Sequence, residues 1–515
     1  MHRLLLATAL SMGLALPALA ETFRWASTTD PQTMDPHAVS SAPVLGFLNN
    51  IYEGLVRRGR DMSIEPALAT GWVPIGGGAG WRFTLRRGVT FHDGSAFTAE
   101  DVVFSYERAA SEESDVRSWF APVLDVVMVD DFTVDILTTS PQPIFPDSIA
   151  NWMIMDSGWA VANGAARPAR DEENFATRHA NGTAAFMLSE RQPDLQTVLV
   201  PFGGWWGQPQ HNITRGIFTP IQNSATAVAA LLSGEVDMIT PVPIQDARRI
   251  AASAAADVIR GIEARVIMLG FAHDHETLRN GAPNPFRDVR VRQAVAHAVN
   301  VPAILQTIMR GAAEPASQLV SPAMRGYSKA NAERPMPDPG AARALLAEAG
   351  YPDGFAFDLS CPNDRYLNDE AVCQAIVAML AQIGLEAALD SMPVSNYWPE
   401  LRADNFDMYL LGWSPGTFDA EHPIRFLVHT SGDRLGTWNF GGYSNPRIDE
   451  MLPMIQSEID DGARQALLDE AAAIIQDDVV YVPMYVQPLL WGVRDGVSLT
   501  QRPDNFFILR WVTVE

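Results

Sequence analysis

The sequence predicts an α/β fold spread over more than one domain. Three observations predict it. Strand-like and helix-like segments alternate over most of the length. Hydrophobic residues make up 47% of the chain, and 515 residues exceed what a single core ordinarily supports. Two or three domains are therefore expected. The same composition excludes a mainly disordered chain. A formal net charge of −24 argues against nucleic acid or an anionic membrane surface as partner. All but one of the 37 basic residues are Arg, the exception being Lys329, which reads as genomic base composition rather than chemistry.

Residues 1–20 read as a secretory signal. A basic start (His2, Arg3) precedes the apolar run Leu4 to Leu16, and Ala18-Leu19-Ala20 is a small-x-small cleavage pattern. No later stretch reaches about 18 uninterrupted apolar residues. With no cysteine at the cleavage point, no lipid anchor is expected. The mature chain should begin near Glu21 in a Gram-negative periplasm. Beyond it, Glu21 to Ala26 reads as a strand, Thr29 to His37 as a polar loop, and Ala42 to Val56 as a helix. Gly76-Gly77-Gly78-Ala79-Gly80 lacks the Gly-Lys-Ser/Thr ending of a phosphate loop, so it reads as a hairpin tip before the strand Trp81 to Leu85.

The run Gly88 to Ser105 is the most informative stretch. Asp93-Gly94 makes a tight turn, Thr98 an N-cap with Asp101 to complete a capping box, and Val102, Val103 and Tyr106 an apolar helix face. Further on, Gly158 to Arg178 reads as a polar surface excursion and Thr197 to Pro201 as a strand. Ser224 to Ser233 is a helix closed by Gly234, with a strand at Glu235 to Ile239. Val266 to Phe271 reads as a strand, and a helix opens after Phe286. Helices at Ala341 to Ala349 and Asp369 to Ile383 end at Gly350 and Gly384, the strand Glu386 to Leu389 follows, and Tyr481 to Tyr485 is a closing strand.

Several of these runs resemble one family in the family's order. They are Phe91-His92-Asp93-Gly94 with Thr98 to Ser105, Asn181 to Phe186, Ala229 to Asp237, and Pro285 to Ala294. Ala184-Ala185 replaces the usual Gly-Pro in the second. The chain resembles the family 5 extracellular solute-binding proteins, receptors of dipeptide, oligopeptide, nickel and opine ABC importers. The resemblance spans essentially the whole mature chain. It implies two lobes joined by two crossovers, with an extra subdomain on the first lobe. The expected boundaries are 21–60, 179–265 and 483–515 for the lobe I core, 61–178 for the subdomain, and 266–482 for lobe II. It also implies an inner-membrane ABC permease as partner, a monomer, and no cofactor.

The segment Leu410 to Pro423 presents Trp413, Thr417, Phe418 and Asp419 within seven residues, the mixture of apolar wall and orienting polar groups that a binding cleft needs. In peptide-binding members an Asp after Gly-Trp receives the ligand's ammonium, and Asp419 fits that role, although the loop before it is longer here. The competing reading of Asp419 is a capping residue. Arg365 lies between a strand and a helix, matching an Arg that pairs with a ligand carboxylate in dipeptide-binding relatives. Its alternative is a structural ion pair with Asp364, Asp369 or Glu370. Trp438, Asn439, Tyr397, Trp398, His37 and Trp205-Trp206 are weaker candidates, since clustered aromatics serve packing more often than ligands.

Cys361 and Cys373 are expected to form a disulfide in an oxidising compartment, a reduced pair or metal site being the alternative. His273-Asp274-His275 lacks a third metal ligand. Asp460-Asp461 and Asp477-Asp478 read as surface charge. Asp419 and Arg365 together predict a zwitterionic, peptide-like ligand; an opine, glycoside or metal chelate is the alternative within binding proteins. A secreted hydrolase is the alternative outside them, and no nucleophile–base or metal motif supports it.

Overall fold

The computed structural model describes residues 21–169, 172–432 and 435–515; residues 1–20, expected to be a secretory signal, lie outside them. A mixed sheet runs through both lobes. In lobe I, β1 (Glu21–Ser27) lies parallel between Ile213–Pro220 and Met238–Thr240. Gln196–Pro201 and Phe186–Gln192 extend this half antiparallel. The rest of the sheet is carried by β2 (Ala256–Phe271), β3 (Phe355–Pro362), β4 (Met408–Trp413) and β5 (Tyr481–Arg494). β2 and β5 pair antiparallel from Ala256 opposite Arg494 to Gly270 opposite Tyr481, so both strands pass from one lobe to the other. Their register shifts between Ile262 and Val266. In lobe II, β4 pairs with β2, and β3 joins β4 to Leu385–Met392 in parallel.

Val266 to Phe271 is buried throughout, because both faces of this part of β2 are covered. Ile267, Leu269 and Phe271 point into one core with Phe286 and Phe357. Val266 and Met268 point into the other with Tyr409 and Leu411. The lobe I core is aromatic, with Phe23, Trp25, Phe47, Phe218 and Phe507 at ring-centroid distances of 5.4–6.1 Å. The extra subdomain on lobe I is a four-stranded antiparallel sheet of Ala69–Ile75, Gly80–Leu85, Thr133–Thr138 and Val123–Asp130. Gly76, Gly77 and Gly78 all take positive φ at its hairpin tip, which explains the glycine run without any ligand. Helix α1 (Ala99–Ala109) begins as expected, the Thr98 amide donating to Asp101 Oδ2 at 2.9 Å.

Four local expectations change. The helix from Ala42 stops at Leu48, since Asn50 turns its amide onto Phe47 and Phe507 carbonyls and accepts from the Leu509 amide, tying the chain to the C-terminal segment. Within Gly158 to Arg178, the helix Ser157–Ala162 is capped by Asp156, and Ala160, Ala165 and Ala176 are buried, so this stretch is partly core. The strand expected from Glu235 begins at Met238, because the Glu235 and Val236 amides still donate to the Ala230 carbonyl at the helix end. Asp478 is more than surface charge: its carboxylate accepts from Tyr443 Oη and Asn445, and its carbonyl from Arg292.

Cys361, at the end of β3, is bonded to Cys373 in helix α2 (Asp369–Ala381), with Cα atoms 6.6 Å apart. The bridge spans the loop that carries Arg365. Closing a loop of this size stabilises by about 3 kcal/mol in the chain-entropy treatment. The C361S/C373S double variant is therefore expected to lose about 3 kcal/mol in urea unfolding. An unchanged midpoint would mean that the packing of α2 alone fixes the loop.

Candidate functional site

Lobe II meets lobe I along the residues that follow β4. Trp413 ends β4 opposite Val266, where β2 enters lobe II. The chain then runs to Phe418, whose φ of +56° is unusual for a bulky residue. That turn presents the Thr417 carbonyl to Arg58 of lobe I, which donates to it at 2.9 Å, and sets the Phe418 ring 4.8 Å from the same guanidinium. Arg58 also lies 3.7 Å from Asp147 of the subdomain. Thr417 Oγ1 is buried with no hydrogen-bond partner, an uncommitted polar group where the lobes touch.

Nearer the crossovers, Glu263 and Arg265 occupy the register shift of β2. Arg265 pairs with Glu263 at 3.1 Å and donates to the Gly412 carbonyl at 3.4 Å. Gln487 of β5 donates to the second Glu263 oxygen at 2.6 Å and accepts from the Leu367 amide at 3.3 Å, joining the crossovers to the Arg365 loop. Tyr366 lies between Arg265 and Arg365, its ring centre 6.0 and 5.3 Å from their guanidinium carbons.

Arg365 is exposed, and its guanidinium has no carboxylate partner among the described residues. Its three candidate partners are engaged elsewhere. Asp369 Oδ2 accepts the Arg365 and Tyr366 amides, Asp364 accepts the Val394 amide, and Glu370 accepts from Gln374. Surrounding protein, and then the charge of Arg265, hold the Arg365 pKa below its ordinary value. An arginine side chain stays charged at neutral pH.

An aromatic cluster begins at Trp413, next to Gly412, whose carbonyl accepts from Tyr366 Oη at 3.4 Å. The Trp413 ring lies 5.5 Å from Trp438 and 5.9 Å from Phe426, while Trp398 and Phe440 each lie 5.4 Å from Trp438. The Trp413 indole donates to His422 Nδ1 at 3.2 Å. Burial, reinforced by Arg425, pushes the His422 pKa down to about 3, so the ring is neutral at pH 7.

Asp419 is 1% exposed and held by both terminal nitrogens of Arg464, each at 2.8 Å, while the Glu421 amide donates to the same carboxylate. Arg464 projects from α3 (Asp461–Asp477) and also donates to the Ile455 carbonyl. An ammonium reaching Asp419 would have to share a carboxylate already held bidentately.

The remaining candidates have internal partners. Tyr397 is fully buried and donates to the Leu410 carbonyl at 2.6 Å. Asn439 braces a turn through His429, Tyr443 and its own carbonyl group. His37 is not brought to this group: it is 1% exposed inside lobe I, with Nε2 on the Met153 carbonyl and Nδ1 facing Arg108, which also pairs with Asp35. Trp205 and Trp206 donate to Glu53, and Arg86 stacks 3.8 Å from the Trp206 ring. His273 Nε2 donates to the Val480 carbonyl, and no trio of metal-ligating groups occurs among the described residues. Sequence reasoning missed Arg464, Arg58, Arg265 and Gln487. Nothing local marks them, since each acts on a residue more than 40 positions away or across the crossovers.

Residues 63–434 match the model of the bacterial extracellular solute-binding proteins, family 5. The chain belongs to that family. It is a two-lobed solute-binding protein. The glutathione-binding protein GsiB of Salmonella choleraesuis (strain SC-B67) is 27% identical over 502 residues, covering 95% of this chain and 94% of GsiB. The substrate-binding protein CtaP of Listeria monocytogenes superposes with a TM-score of 0.84 at 20% identity, covering 96% of this chain and 99% of CtaP. The binding protein AgaA of A. tumefaciens R10, solved with agropinic acid, gives 0.77 at 24% identity over 96% of this chain and 99% of its own. No helix among the described residues is long and apolar enough to cross a membrane.

Two measurements follow from this geometry. Asp419→Ala leaves the buried Arg464 uncompensated and should cost about 3–5 kcal/mol in denaturant unfolding, whereas the Asp419→Ala/Arg464→Met pair should recover part of the loss. A loss in the pair equal to the sum of the Asp419→Ala and Arg464→Met single losses would show that the two side chains are not coupled. His422 has a folded pKa below its unfolded value of 6.5, so its contribution is present above pH 6.5 and is lost as pH falls towards about 3. Relative to His422→Phe, the protein should lose about 1.4 kcal/mol per pH unit between roughly pH 6 and 4. Parallel pH profiles of the two proteins would contradict a neutral, buried His422.

Proposed function

We propose that this protein is the periplasmic receptor of an ABC importer, a monomer that takes up a small peptide-like ligand between its lobes and presents it to an inner-membrane permease. Lobe closure is absorbed at the register shift of β2 and β5, and ligand binding shifts the open–closed population. The observation that carries this reading is Arg365, an exposed guanidinium without a carboxylate partner among the described residues, stacked near Tyr366 on a loop bonded to the crossover strand β5. It is suited to hold a ligand carboxylate bidentately. Trp413, Phe418 and Trp438 supply apolar area, and the uncommitted Thr417 hydroxyl is a further polar contact. GsiB, similar over almost its full length, is named for glutathione, a peptide bearing carboxylates. Family membership supports a binder in preference to an enzyme, and the signal-like residues 1–20 support the periplasm.

A second reading has a specific observation behind it. Because Arg464 already holds Asp419, recognition of an ammonium at that carboxylate is the weakest element of a zwitterion model. An anionic opine fits the Arg365 side without needing it, and AgaA was solved with such a ligand.

Protein purified from periplasm without refolding, analysed by native mass spectrometry, tests the proposal. A carboxylate-bearing ligand should co-purify, and Arg365→Ala should weaken its rebinding by about tenfold or more, the loss of a charge-assisted pair. A peptide would favour the first reading and an opine the second. A ligand whose affinity ignores Arg365→Ala would refute the role of Arg365, and turnover of peptide or ester substrates would refute the receptor.

A further inference from the structure

Lobe II holds a cavity apart from the interlobe face. It lies between the irregular segment 317–335, helix α3 and the first residues of β5, with a cavity volume of about 90 Å³. Its wall is mainly apolar, formed by Leu319, Ile424, Leu468 and Ile475 among others. One charged side chain lines it: Arg334.

Arg334 is half satisfied. Its Nη1 donates to the backbone carbonyls of Pro483 and Ala316. Its Nε is buried with no partner, and Nη2 makes no hydrogen bond among the described residues. No carboxylate there comes within ion-pair distance, and burial alone lowers its pKa to about 10. The group therefore remains a cation at pH 7. A cation set among aliphatic side chains without a counter-charge is unfavourable unless something supplies one. Nε is closed to an incoming oxygen, so Nη2 is the nitrogen left to give a charge-assisted hydrogen bond to a carboxylate. The neighbouring Gln318 does not serve it, because its side-chain oxygen accepts the Ser328 amide.

We propose that this cavity binds a small apolar carboxylate, with an oxygen on Nη2 of Arg334 and its hydrocarbon part against Leu319, Leu468 and Ile475. The combination is selective by chemistry. An alcohol of equal length gains the apolar burial and loses the charge-assisted pair, and an alkylammonium meets a like charge. The cavity wall also includes Ala420 and Ile424, on the chain immediately after Asp419, so an occupant would pack against the segment that the interlobe loop rests on.

Calorimetric titration of the intact mature protein with hexanoate tests this, with hexan-1-ol and hexylammonium as controls. Hexanoate should bind saturably at one site, and the controls should bind at least about tenfold more weakly. Arg334→Gln should weaken hexanoate by a similar factor. Arg365→Ala should leave it unchanged, which separates this site from the interlobe one. Ala472→Leu, at the cavity wall, should block binding without touching the guanidinium, and it decides the matter if Arg334→Gln does not fold. Absence of saturable binding, binding equal to that of hexan-1-ol, loss in Arg365→Ala, or persistence in Ala472→Leu would each overturn the proposal.

Discussion

The antiparallel pairing of β2 with β5 is the constraint on which the rest depends. These strands run through both lobes as one hydrogen-bonded ribbon, so neither lobe can translate freely against the other. The ladder is interrupted between Ile262 and Val266, which is where the proposed closure would be absorbed. An interruption leaves backbone groups without ladder partners, and side chains take over part of the connection. Glu263, Arg265 and Gln487 supply it with charged hydrogen bonds that bridge β2, β5, the Gly412 carbonyl and the Leu367 amide. A polar, few-membered junction of this kind can rearrange at lower cost than the packed cores on either side of it.

Much of the fold was legible in the sequence, for physical reasons particular to each element. Thr98 and Asp101 marked the start of α1 because a capping box is a contact between residues three apart. Gly234 marked a helix end because its backbone is left-handed, with φ of +82°. The Gly76 to Gly78 tip was readable for the same reason. What could not be read was set by distant contacts. Asn50 ends its helix by bonding to residues 507 and 509, which no local pattern announces. The long crossover β2 looked like a strand only from Val266, since its first half has one face half-exposed and no continuous apolar run.

The candidate site divides along the same line. Its aromatic members stood out as residue types in a short loop, and the structure gathers Trp413 and Trp438 with Trp398 and Phe426. Partners of the charged residues were invisible, because complementarity of charge has no preferred sequence separation. Asp419 and Arg365 looked equivalent as one anion and one cation flanking a ligand. They differ through Arg464, which faces Asp419 across the lobe, while nothing comparable faces Arg365 among the described residues.

That asymmetry bears on how binding and stability are shared. The Asp419–Arg464 pair is buried, bidentate and tied to the Glu421 amide and the Ile455 carbonyl, so it fixes the loop that ends at Phe418. It serves the site by holding a strained backbone, the left-handed Phe418, in the one geometry that presents the Thr417 carbonyl to Arg58. Arg365 carries the opposite property. Unpaired and accessible, it contributes little to the folded state and keeps its hydrogen-bonding edge for something that arrives from solution. A bound carboxylate there would neutralise the repulsion between Arg365 and Arg265, and Arg265 is bonded to Glu263 at the interrupted ladder. On the proposed reading, the charge brought by a ligand would be felt where the two lobes are joined, through three side chains and one aromatic ring.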